Sequence, residues 1–215
     1  MHRNGLALAC FSLFFLFWFG QSLSGWHVYN DNQLTHGSAA IGYSQYLTTG
    51  HFIEATFENW ESEFLQMFAF IVLTAWLVQR GSAESKPEHD STDDAEQHRN
   101  DPNAPWPVRR GGLWLKLYEQ SLMIAFLILF LLSIASHAVG GLAERNAELE
   151  FHHQPTETAA EFVVSSDFWF QSFQNWQSEF LAVGCIVVFT IILRQKGSPE
   201  SKPVYAPHRQ TDTGE

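Results

Sequence analysis

At residues 59–87 the chain reads NWESEFLQMFAFIVLTAWLVQRGSAESKP, and at residues 175–203 it reads NWQSEFLAVGCIVVFTIILRQKGSPESKP. The offset is 116 residues without a gap, and between residues 57–87 and 173–203, 17 of 31 paired positions are identical. Chance does not produce such identity over this length. The chain therefore reads as a tandem duplication, and each further motif is judged by whether it recurs.

Each copy has one order: Asn-Trp-x-Ser-Glu, Phe-Leu, an apolar run (residues 64–78 or 180–193), Gln with Arg80 or Lys196, a Gly, and Ser-x-Glu-Ser-Lys-Pro. From Trp60 to Gln79 is 20 residues, about 30 Å of helix and so the thickness of a bilayer core. Trp60 and Trp176 suit one membrane interface; Arg80, Arg194 and Lys196 suit the other. Gly81 and Gly197 read as positive-φ residues at a helix C-terminus, with basic residues in the last turn. Asn59 and Asn175 read as N-caps.

The 215 residues are 46% hydrophobic and 16% charged, with 19 Phe and 8 Trp. A mean hydropathy of −0.11 averages apolar runs with very polar loops. Four separated apolar runs with interfacial flanks read as four transmembrane helices. The net charge of −11 argues against nucleic acid as a partner. Cys10 and Cys185 lie in different runs at non-equivalent repeat positions. They read as small buried apolar residues, with no disulfide or metal role.

The first run, residues 6–23 after Arg3, has the look of a signal peptide with a small-residue site at Ser22-Leu23-Ser24. Shifted by 116 it falls on residues 122–139, which are internal, so a retained helix is expected. Ile53, Phe57, Trp60 and Phe64 are spaced i, i+4, i+7, i+11, as are Trp169, Phe173, Trp176 and Phe180. This is the apolar face of an interfacial helix running on into the membrane helix. Residues 88–107 (EHDSTDDAEQHRNDPNAPWP) cannot bury a core and read as disordered. The third helix is expected to carry Glu119 and Ser121 at its start and His137, which aligns with Gln21, near its end.

Eleven of twelve cations lie before the first run, between the second and third, or after the fourth; Arg145 is the exception. The positive-inside rule then puts both termini and the linker in the cytoplasm. Two hairpins of like orientation imply a pseudo-twofold axis along the membrane normal.

Asn59, Ser62, Glu63 and Gln66 form a polar stripe at i, i+3, i+4, i+7, matched by Asn175, Ser178 and Glu179, with Ala182 in the last place. Glu63 and Glu179 are thereby candidates for a carboxylate pair that shares a proton or binds a cation. The structural alternative is helix-end electrostatics and inter-helix hydrogen bonding, and proximity to the interface favours it. The tail motif places Ser82, Glu84, Ser85 and Lys86 opposite Ser198, Glu200, Ser201 and Lys202. These residues suit docking on the helix ends or recognition of a partner or headgroup. His36, His152 and His153, with His27 and His51, are the weak metal candidates, because none has the close helical spacing of a metal site. No cofactor is expected. The midplane portions of the helices carry no ionisable residue, which argues against a proton pump or voltage sensor.

The doubled NWxSEFL…GSxESKP signature resembles a family of bacterial inner-membrane proteins known only as a domain of unknown function. The resemblance covers residues 1–207 and implies a four-helix protein with this internal duplication; it implies no activity, ligand or catalytic residue. Departures from the doubled pattern are Gln174 and Gln177 in place of Glu58 and Glu61, and His153 and Gln154 in place of Gly37 and Ser38.

The expected fold is thus an all-α membrane protein: four transmembrane helices as two tandem-duplicated hairpins, with interfacial amphipathic helices on the outer side. Its parts are residues 1–87 and 109–203 as the two repeats, 88–108 as a disordered acidic linker, and 204–215 as a polar tail. The expected function is non-enzymatic binding of a partner, lipid or small solute in a bacterial inner membrane. The alternatives are a small channel or transporter on the pseudo-twofold axis, or a membrane enzyme with its site in the outer loops. The bilayer is the expected partner, with a homo-oligomer or a membrane partner beside it.

Overall fold

A computed structural model describes residues 4–85 and 98–211, and among them every regular element is helical. In chain order these are α1 (Gly5–Thr35), α2 (Tyr43–Tyr46), α3 (Gly50–Trp76), α4 (Trp106–Arg110), α5 (Gly112–Glu119), α6 (Ser121–Phe151), α7 (Ala159–Val163) and α8 (Ser166–Ile192). Helices α1 and α6 have 31 residues each, and α3 and α8 have 27 each. Both pairs begin and end 116 positions apart.

Three helices, α1, α6 and α8, are long and apolar enough to cross a membrane. The fourth long helix, α3, has the length but carries Glu54, Glu58, Glu61 and Glu63; in register α8 has Phe170, Gln174, Gln177 and Glu179. Along these helices the apolar side chains face outward: Leu6, Phe17, Leu122, Leu132, Leu181 and Ile192 are all exposed. The buried side chains of the long helices are largely polar: Ser22, Thr56, Glu61, Ser62, Ser133, His137, Ser172 and Thr190. Water expels apolar surface and would reverse this arrangement. A hydrocarbon solvent favours it, because there polar groups seek partners between helices.

The chain divides into two compact units. The first joins Met1–Glu58 to Ile134–Trp169. In it the short helices α2 and α7 each lay a buried aromatic over a glycine. Tyr46 packs at Gly25, and the Phe162 ring lies 2.7 Å from where a Cβ on Gly141 would stand. The start of α3 meets α6 with almost no gap. A Cβ on Gly140 would lie 2.5 Å from the Glu54 backbone nitrogen, and one on Gly50 would lie 2.6 Å from that of Glu144. Ser22 Oγ and Tyr43 Oη hydrogen-bond at 2.7 Å, and Gln21 Nε2 donates to Ala55 O at 3.0 Å. His137, at the position equivalent to Gln21, is fully buried and stacks on Phe168 with centroids 4.9 Å apart.

The second unit joins Asn59–Ser133 to Phe170–Glu215. Here the chain leaves α3 and α8 by the same path. Leu77 and Leu193 N–H each donate to the carbonyl four residues back at 2.7 Å, after which the backbone turns through Gly81 (φ 83°) and Gly197 (φ 85°). The left-handed turn at both glycines agrees with the sequence. The expected helix lengths do not: α3 and α8 stop at Trp76 and Ile192, so Gln79, Arg80, Arg194 and Lys196 lie beyond the last turn. Ser85 and Ser201 stop them early, because each Oγ accepts the N–H of Gln79 or Gln195 at 2.9 Å and draws it off the helical path. Asn59 and Asn175 are not N-caps; both lie inside continuous helices that begin at Gly50 and Ser166. The amphipathic stretch and the apolar run are therefore one helix, α3 in the first case and α8 in the second.

Further corrections are local. Glu119 closes α5 and does not open α6. Both cysteines are free, but Cys10 is exposed and Cys185 half-buried. Of the expected linker, residues 88–97 lie outside the described residues; residues 98–105 make turns that lead into α4.

Candidate functional site

The site is built on α3 and α8 within the second unit. Glu61 of α3 has 0% of its surface exposed, and its Oε1 accepts a hydrogen bond from Trp176 Nε1 at 3.0 Å. The indole is held edge-on by two rings, Phe130 at 6.2 Å and Phe173 at 5.6 Å. Its N–H is thus aimed before the carboxyl meets it. A buried carboxyl is tolerated only where such donors satisfy it. Ser172 lies one helical turn from Trp176 on the same face of α8, fully buried, and its Oγ has no hydrogen-bond partner. Chemically the arrangement offers a carboxyl, an indole N–H and a spare hydroxyl inside a helical bundle.

The expected polar stripe is only partly assembled. Ser62 is buried and Glu63 is exposed. Ser62 Oγ and Ser178 Oγ each donate to the carbonyl three residues back, of Asn59 and Asn175, at 2.8 Å. Gln66 Nε2 reaches across to the Glu179 carbonyl at 3.3 Å, and Asn175 Nδ2 donates to Gln171 O at 3.2 Å. Only the Gln66 bond joins two helices; the other three run back along α3 or α8. The sequence passed over Glu61 because its counterpart is Gln177. The usable signal was that departure: an ionisable residue facing its neutral isostere at equivalent positions.

The tail motifs form a second assembly in this unit. In both motifs the first serine accepts the glutamate N–H, Ser82 from Glu84 at 3.1 Å and Ser198 from Glu200 at 3.2 Å. Thr190 of α8 docks the first loop: its Oγ1 lies 3.1 Å from Ser82 Oγ and accepts Ala83 N–H at 3.2 Å. Lys202, 1% exposed, sends its ammonium into four carbonyls, those of Gly81, Gln210 (2.9 Å), His208 (3.1 Å) and Ile191 (3.4 Å). Burial, and then the neighbouring Arg194, push its pKa below the ordinary lysine value. Arg194 adds bonds to Thr190 O and Ala206 O, both 3.1 Å, and Gly81 N–H donates to Thr211 Oγ1 at 3.0 Å. Lys86, the equivalent of Lys202, lies outside the described residues.

Glu84, whose counterpart 116 positions on is Glu200, has a buried Oε1 without a hydrogen-bond partner. The Glu84 carboxyl is pushed above the ordinary carboxylate value by burial first, then by the proximity of the Glu200 carboxyl. An acid whose folded pKa is raised stabilises the fold below its unfolded pKa and loses that contribution as pH rises through the folded value. The thermal midpoint of the wild type should therefore fall relative to Glu84→Gln as pH rises above about 4.5. A constant difference between the two proteins across that window would show that the pair does not share a proton.

Among the described residues no group of three or more His, Cys, Asp or Glu is placed to hold a metal ion. His36 and His152 end their helices alike, each N–H donating to the carbonyl four residues back at 3.1 Å. His153 takes a left-handed φ of 56°, and Gly37, 116 positions earlier, one of 76°.

A family model described as a domain of unknown function, DUF6766, matches residues 1–213, and the chain belongs to that family. No curated protein and no solved structure matches it.

Proposed function

We propose that the chain is a four-span protein of a bacterial inner membrane, made of two tandem-duplicated hairpins, that binds a small polar or cationic solute at Glu61 without catalysing a reaction. The duplication is supported by hydrogen bonds that recur at the 116-residue offset. Asn30 brackets Ile41 by bonds of 2.8 and 3.0 Å, and Asn146 brackets Glu157 by bonds of the same lengths. The fourth span is α3, whose apolar second half runs from Phe64 to Trp76 and whose acids gather toward its start. Both termini lie in the cytoplasm, on the side of eleven of the twelve cations.

The observation that carries the binding reading is the fully buried Glu61 carboxyl met by Trp176. An ionisable group inside a membrane bundle is costly to keep and marks a site of use. Native mass spectrometry of the protein extracted gently with its lipids tests this. A stoichiometric small adduct is expected on the wild type and on the Glu63→Gln control, and should be lost in Glu61→Gln. Glutamine keeps an acceptor for Trp176, so the fold survives while the carboxyl is gone. Equal adduct on wild type and Glu61→Gln would overturn the reading.

A second reading, a small transporter, is favoured by the buried hydroxyls and His137 on otherwise apolar helices. It predicts passage of a solute or proton across liposomes carrying the pure protein, which a binding protein would not give.

A further inference from the structure

The first unit holds a cavity of about 480 Å³ that Glu61 does not reach. It lies between the C-terminal ends of α1 and α6, and its walls include Tyr29, His36, Glu144, Glu148, Phe151 and His152. The two histidines are equivalent by the repeat.

Three independent features give this cavity one sign of potential. Its lining includes three glutamates, the third being Glu150, and no lysine or arginine among the described residues. Helices α1 and α6 both finish here, and neither has a basic residue in its last turn. Their carbonyl ends, with no basic residue in the last turn, add partial negative charge. The nearest cation, Arg145, is committed elsewhere: it bonds Glu157 at 3.3 Å and Glu148 at 3.4 Å. That pairing neutralises part of Glu148, and neither Glu144 nor Glu150 has an arginine partner among the described residues.

The walls are also aromatic and rigid. His36 packs on Phe151 with centroids 5.1 Å apart. Tyr29 packs on Tyr46 at 5.7 Å and on His51 at 5.5 Å. Tyr46, 1% exposed, is fixed in turn by a 3.1 Å hydrogen bond to His51 Nδ1. A bare metal ion needs three or more converging ligands at about 2–2.5 Å, and no such group exists among the described residues. A space this large, with ring faces and carboxylates, fits a cation that carries its own apolar surface. Such a cation gains from cation–π contact as well as charge.

We infer that this cavity is a binding site for a small organic ammonium ion, a methylated or aliphatic amine, held by Glu144 and Glu148 and by the Tyr29 and Phe151 rings.

Isothermal titration of the full-length protein in detergent with tetramethylammonium chloride, at low salt, tests this. Saturable binding is expected. It should weaken about tenfold or more in Glu144→Gln/Glu148→Gln and severalfold in Phe151→Ala, a half-exposed position where truncation spares the fold. Circular dichroism would establish that each variant remains helical. Glu61→Gln should bind as wild type does, which separates this site from the one on α3. No saturable binding to the wild type would overturn the inference. So would equal binding by the folded double variant. Stoichiometric Zn²⁺ uptake lost in His36→Ala/His152→Ala, with no competition from tetramethylammonium, would also overturn it and assign the cavity to metal.

Discussion

Lys202→Met should free the C-terminal segment and lower stability by about 3 kcal/mol, the largest loss expected from one side chain outside the helices. The ammonium gathers carbonyls from three separate places: Gly81 after α3, Ile191 in the last turn of α8, and His208 and Gln210 in the tail. Methionine fills a similar volume but donates nothing, so four carbonyl acceptors lose their common donor at once. Arginine should not rescue, because its planar fork does not reproduce a compact point charge among four oxygens. Lys196, exposed on the neighbouring turn, gives the control, and Lys196→Met should be neutral. Hydrogen exchange over residues 204–211 reads the result. Protection there should vanish in Lys202→Met and persist in Lys196→Met. Unchanged protection would mean that Arg194 and Thr211 hold the tail unaided.

Gly140→Leu should be at least as damaging, for a different reason. The added Cβ would stand 2.5 Å from the Glu54 nitrogen and 2.8 Å from Ile53 Cγ2. The first of these is backbone, which no rotamer change can move aside. The crossing of α3 and α6 would have to open, and with it the contact that close small-residue packing provides in a bundle without a hydrophobic drive between helices. A loss of about 3 kcal/mol is expected, a fall of roughly 10 °C in thermal midpoint for a chain of this size. Gly20→Leu, on α1 with nothing within 4 Å of its Cβ, is the matched control and should leave the midpoint unchanged. Equal midpoints for the two variants would show that the crossing is looser than the structure has it.

The long helices were legible in the sequence because similar stretches 116 residues apart could be read against each other. A run ambiguous by itself, residues 6–23, has a counterpart at residues 122–139, and the helices α1 and α6 that contain the two runs are both 31 residues long. The glycine turns were legible too, since a left-handed φ has few other solutions. The helix ends were not legible. Ser85 and Ser201 capture Gln79 and Gln195 through bonds spanning six residues, and no periodicity carries that information. The N-cap reading of Asn59 and Asn175 failed because capping preference is local, while both helices had already started nine residues upstream.

The candidate site was the least legible part. Matching residues between copies selects positions that both halves need, such as the serines of the tail motif, whose hydrogen bonds prove equivalent in both loops. A buried carboxyl whose counterpart 116 positions on is neutral is removed by that filter. Glu61 is such a residue, and Trp176, which meets it, was read as an interfacial anchor. The meaning of Lys202 was likewise invisible, since its four acceptors are main-chain carbonyls and carry no sequence signature.

The account stands on α3 crossing the membrane as α1, α6 and α8 are built to do. Cysteine accessibility in a background lacking Cys10 and Cys185 tests it most directly. Single cysteines at His36, Arg99, His153 and Tyr205 would be labelled with a membrane-impermeant maleimide in sealed right-side-out and inverted vesicles. Four spans predict that positions 36 and 153 react from one side and positions 99 and 205 from the other. Labelling of positions 36 and 99 from the same side would mean that α3 does not cross, and would contradict the paired-hairpin fold.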